Sequence, residues 1–116
     1  MAGLQVIQEN RNGINIIRIR NPVLLEPQQA DEMTQLLSRE FESGSLKVVI
    51  NISNVTRMSS LFFRSFLIAG KKAKERKAVM AFCNVAPTIK TGFDMMGLGA
   101  YFTMYPEESV ALENLK

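Results

Sequence analysis

Val48-Val49-Ile50 is an unbroken run of β-branched residues inside a short apolar stretch, Leu46 to Ile52. A strand with one wet face alternates apolar and polar residues. This one does not, so both of its faces must be covered, as in a central strand flanked by helices. The flanking sequence supplies those helices. Upstream, Ala30, Met33, Leu36, Leu37 and Phe41 follow helical spacing across Pro27 to Glu42. Pro27 suits a first helical turn, Glu26 or Asp31 suits its positive end, and Ser43-Gly44-Ser45 stops it. Downstream, a helix is predicted from about Ser59 to Glu75, carrying Leu61, Phe62, Phe63, Phe66, Leu67, Ile68 and Ala73.

The remaining segments complete the alternation. Leu4 to Glu9 and Ile14 to Ile19 flank Asn12-Gly13, which reads as a β-hairpin. Asn21-Pro22 ends the second strand, because proline has no N–H for the ladder. Ala78 to Cys83 is a second buried strand. A helix is expected over Pro87 to Met96, with Gly97 as its left-handed terminator. Ala100 to Met104 reads as a short last strand. Pro106 opens a final helix with Val110, Ala111 and Leu115 inward. Ser53 to Arg57 reads as a plain loop. The prediction is an α/β fold spanning 1–116 as one domain, with about four helices. Its mixed sheet combines an N-terminal hairpin with parallel strands.

Composition narrows the function. The chain has 116 residues and no histidine, so no Ser-His-Asp or Cys-His site is available from it. The single Cys83 forms no internal disulfide and is too little for a zinc site; it reads as a small buried residue. Neither a phosphate-binding glycine loop nor a dinucleotide fingerprint is present. We therefore expect no catalytic residue, no cofactor and no metal. No apolar run is long enough to span a membrane, and the N-terminus lacks a secretory pattern, which points to the cytoplasm. The net charge is +3, much of it in Lys71-Lys72-Ala73-Lys74-Glu75-Arg76-Lys77. Such a run can bind nucleic acid. Without interleaved aromatics or a nucleic-acid motif, the solvated end of a helix is the favoured reading, and no direct nucleic-acid partner is expected.

Two stretches carry a family resemblance. Val48 to Ser60 pairs a buried strand with a short loop ending in Met58-Ser59-Ser60, which opens a helix. Cys83-Asn84-Val85-Ala86-Pro87, followed by Phe93-Asp94-Met95-Met96-Gly97-Leu98, gives a strand, a proline-opened helix and a Phe-x-x-x-Gly-Leu ending. Together these resemble the STAS domain family, and in particular the bacterial anti-sigma factor antagonists. The resemblance implies a protein-binding module that sequesters an anti-sigma factor, itself a serine kinase, by partner switching. It places the phosphoacceptor at Ser60 and partner contacts at Glu26, Met58, Ser59, Ser60, Leu61 and Phe62.

The chain departs from the family pattern in three places. Ser59 replaces an aspartate, Phe62 a glycine and Val23 a frequent glycine. Phe62 is expected to be partly exposed, because Leu61, Phe63 and Phe66 suffice to line the core. An exposed aromatic there would be a binding anchor. Two other readings stay open. In one, the serines merely cap the helix. In the other, the chain is a non-phosphorylated STAS subunit of a membrane transporter or signalling scaffold.

Overall fold

A computed structural model describes residues 3–116; residues 1 and 2 of the expected domain lie outside the described residues. The hairpin forms as read, from β1 (Val6–Arg11) and β2 (Ile14–Ile19), paired antiparallel. Its turn residues Asn12 and Gly13 both take positive φ, 55° and 82°, as a two-residue hairpin turn demands. A two-residue strand β3 (Val23–Leu24) follows, then α1 (Pro27–Glu42), β4 (Lys47–Asn51), β5 (Arg57–Met58) and α2 (Ser60–Glu75). The chain finishes with β6 (Val79–Cys83), α3 (Pro87–Met95), a short 3-10 turn, β7 (Thr103–Tyr105) and α4 (Glu108–Leu115). Gly97 ends α3 with φ 71°, the left-handed conformation anticipated for it.

The main sheet has the order β1-β2-β4-β6-β7, with every pair after the hairpin parallel. This mixed sheet with four α-helices is the architecture the sequence implies. β4 is central, and its side chains divide as a two-sided strand requires. Val48 and Ile50 enter the larger core with α1, α2 and α3; Val49 enters a smaller core with Ile14, Ile16, Cys83 and Ala111 under α4. The larger core is rich in phenylalanine. Phe82 lies 4.9 Å from Phe66, 5.1 Å from Phe93 and 5.1 Å from Phe102 by ring centroids, in tilted or edge-to-face contacts.

Four local readings are corrected. Ser53 to Arg57 is not all loop: Arg57 and Met58 pair in parallel with Val23 and Leu24. The last strand starts at Thr103, after a 3-10 turn over Leu98–Ala100. Pro106 precedes the final helix by two residues, and Glu107 is its N-cap. On α4 the partners of buried Ala111 are Leu112 and Leu115, so Leu112 takes the place expected of Val110.

Candidate functional site

The β3–β5 pair sets the position of the α2 N-terminus. Leu24 stands opposite Met58, and the Ser59 N–H donates to the Leu24 carbonyl at 2.9 Å. One step earlier, the Thr56 N–H and hydroxyl both donate to the Pro22 carbonyl, at 2.8 and 3.0 Å. Glu26 and Ser60 each follow this paired step by two residues, at the start of their helices. Glu26 is the N-cap of α1 and forms a reciprocal capping box with Gln29.

Ser60 is the first residue of α2, and it is exposed. Ser59 is the N-cap in backbone conformation, yet its hydroxyl is buried and makes no hydrogen bond. The capping role expected for the Ser59 side chain is therefore absent. Met58 is half-buried beside it.

The rotation of α2 corrects the expectation for Phe62. Phe62 is 0% exposed and packs in the larger core, whereas Leu61 is 39% exposed. A ring without accessible surface cannot anchor a partner docked on the folded protein. Phe62, Phe66, Ala69 and Ala73 form the inward stripe, at helical spacing. Leu61, Arg64 and Ile68 form an outward one, with Ile68 44% exposed.

That outward stripe borders a groove of about 300 Å3 between α1 and α2, lined by Ala30, Asp31, Thr34, Leu61, Arg64 and Ile68 among others. Its floor is fixed by Ser65, whose hydroxyl lies 3.0 Å from the Ala30 carbonyl of α1 and 3.1 Å from the Leu61 carbonyl. Of the six residues expected at the site, Ser60 and Leu61 are exposed at the start of α2, Met58 and Ser59 precede them half-buried, Glu26 is the half-buried N-cap of α1, and Phe62 lies in the core. From sequence, Asp31 and Ile68 read only as helix residues, and Arg64 and Thr34 were not singled out. Their signal was available for α2, since positions 61, 64 and 68 lie on one helical face.

The strongly perturbed ionisable groups sit elsewhere, on the α4 face of the sheet. Arg18 holds Glu108 in a two-pronged contact, 2.9 Å from Nε and 2.8 Å from Nη2, and reaches Glu9 at 3.0 Å. Asn51 donates to the same Glu108 carboxylate at 2.9 Å. The Arg18 guanidinium holds the Glu108 carboxyl below its usual range. Burial pushes the Cys83 thiol up to about 12, so it stays protonated at neutral pH. Among the described residues, no cluster of Cys, Asp and Glu could hold a metal ion, and no helix is long and apolar enough to cross a membrane.

The STAS domain model matches residues 5–111. The chain belongs to the STAS domain family. Solved structures of the same fold include a putative anti-sigma factor antagonist from Thermotoga maritima, with 14% identity and a TM-score of 0.82 over 94% of this chain and 92% of that one. An anti-sigma factor antagonist from Mycobacterium paratuberculosis has 16% identity and a TM-score of 0.82 over 97% and 93%. The phosphorylated form of the Bacillus cell fate determinant SpoIIAA has 16% identity and a TM-score of 0.75 over 98% and 100%. At such identities the likeness concerns the fold. A comparison with curated proteins gives no sequence match.

Proposed function

We propose that this chain is a bacterial, cytoplasmic partner-switching protein. It docks an anti-sigma factor of the serine-kinase type on the rim formed by Glu26, Met58, Ser60 and Leu61, and phosphorylation of Ser60 ends that complex. The observation that carries this reading is the placement of Ser60: exposed, first in α2, and next to the groove bounded by Leu61, Arg64 and Ile68.

The physics of that position suits a switch. The first N–H groups of a helix lack intrahelical acceptors, and the helix dipole favours negative charge there. A phosphate on Ser60, adding roughly 1.5 to 2 negative charges, would be tolerated by the fold. A partner seated on the same rim would have to bury that charge, and the interface would break. The domain stays folded in both states; only the docked surface changes.

The departures at Ser59 and Phe62 support a second reading, a STAS subunit that assembles with a transporter or signalling scaffold without modification. The two make different demands. Under the first, incubation with the cognate kinase and ATP places phosphate on Ser60, detected by mass spectrometry. Ser60→Asp then loses the partner while Ser60→Ala keeps it. If Ser60 stays unmodified and Ser60→Asp binds as well as the parent, the switch reading fails and the scaffold reading replaces it.

A further inference from the structure

α2 ends far from Ser60 in an unusual way. Its last turn closes in a Schellman motif: the Ala78 N–H donates to the Ala73 carbonyl at 2.8 Å and the Lys77 N–H to the Lys74 carbonyl at 3.1 Å. The residue in the left-handed position of this motif, normally glycine, is Lys77, with φ 56°. A lysine there strains the backbone, and it is exposed. The residue lowers stability where it stands, so its charge is the feature to explain.

The surroundings supply an explanation. Ala73 and Ala78 line a groove of about 190 Å3, together with Lys74, Val79, Tyr101 and Thr103. Val79 is 41% exposed and Tyr101 36%, so the groove offers two accessible apolar side chains among polar neighbours. Lys74 forms part of its wall, with Nζ 4.7 Å from the centre of the Tyr101 ring. Lys71 lies one turn back on the same face of α2 and is exposed, as is Arg76. Lys47 stands opposite Val79 in the sheet register. Lys72 is already neutralised by Glu42 at 3.0 Å, and Glu75 is the sole acid in the run.

We infer that this basic groove is a second docking surface, fitted to an acidic protein segment carrying one apolar side chain. The apolar side chain enters between Val79 and Tyr101, and carboxylates meet Lys71, Lys74 and Lys77. Charge complementarity selects the acidic partner. The recess selects a peptide over a lipid bilayer, since a flat headgroup surface cannot enter it. The ammonium of Lys74 over Tyr101 covers a ring face on which a nucleic-acid base would stack. The inference goes beyond the Ser60 reading and does not depend on it.

The test uses the full chain and a fluorescein-labelled acidic octapeptide with one central leucine, followed by anisotropy at low salt. Binding is expected, weakening as salt is raised. Replacing the peptide's leucine by serine should weaken it about tenfold, the loss of one buried aliphatic side chain. Lys74→Glu should also weaken it about tenfold. Lys77→Gly separates function from folding, because its two effects have opposite signs. It should raise the melting temperature by about 4 °C through relief of backbone strain, and weaken the peptide about threefold. The inference is overturned if the leucine and serine peptides bind alike, or if neither binds. It also falls if Lys77→Gly binds as the parent does, or if oligothymidine or phosphatidylserine vesicles bind more tightly than the peptide.

Discussion

Leu61 and Phe62 are adjacent in sequence and about 100° apart around the helix, and that rotation decides which can meet a partner. Phe62 is in the core, so Phe62→Gly does not open space for a partner. It should destabilise the fold by about 3 to 5 kcal/mol for the lost ring, with roughly 1 kcal/mol more for glycine inside a helix. Chemical denaturation measures this; an unchanged midpoint would place the ring outside the core. Leu61→Ala should change stability by less than about 0.5 kcal/mol yet weaken partner binding. Ser59→Ala removes a buried hydroxyl that has no partner, so stability should hold or rise rather than fall by the ~1 kcal/mol of a lost side-chain cap. The serine pair was legible as a helix start. The rotation was not, because Leu61-Phe62-Phe63 offers three large apolar residues in a row and several rotations bury two of them.

Long elements with strong periodicity were readable. α1 matches its expected bounds, and β4 and β6 fall inside the apolar runs that announced them. The β3–β5 pair was invisible, since two residues carry no period, yet it aligns the α1 and α2 N-termini. α4 is the other element the sequence described poorly: only eight residues long, it is held by Glu108, bonded to Arg18 and Asn51, and by a few apolar contacts. Short elements with little burial open first. Cys83, under α4 in the smaller core, reports that opening through reaction with a thiol reagent. Arg18→Ala should accelerate labelling about tenfold, the effect of losing a charge-assisted pair; an unchanged rate would show that the Asn51–Glu108 hydrogen bond and the apolar contacts hold α4 without the ion pair. The pair also sets a pH dependence. The Glu108 pKa is lowered in the folded state, so its contribution is full above the ordinary glutamate value, about 4.3. It is lost as the pH falls through the lowered folded value. Labelling at matched thiolate concentration should therefore quicken below about pH 4 in the parent and stay flatter in Glu108→Gln.

At the scale of the molecule, α2 is a strut between two unlike ends. Its 16 residues carry Ser60 at one end and the Lys74–Lys77 groove at the other, roughly 22 Å apart along the axis. The molecule measures 33 × 26 × 25 Å, so that separation is most of its shortest dimension. Charge placed at Ser60 is separated from Lys77 by more than the screening length of physiological salt, about 8 Å. The helix between them is held inward by Phe62, Phe66, Ala69 and Ala73. Two sites without shared partners at such distance act additively. Ser60→Asp should thus leave the affinity for the acidic octapeptide within about twofold of the parent, and Lys77→Gly should leave docking at the Ser60 rim equally unchanged. Isothermal titration of each variant with each ligand, followed by titration of the second ligand onto the first complex, measures both the affinities and their coupling. A rigid strut predicts a ternary complex with independent affinities: the chain joins two partners at once, and phosphorylation releases only one of them. A coupling greater than about fivefold would instead require α2 to move as a unit between two states, and the rigid-strut account would be abandoned.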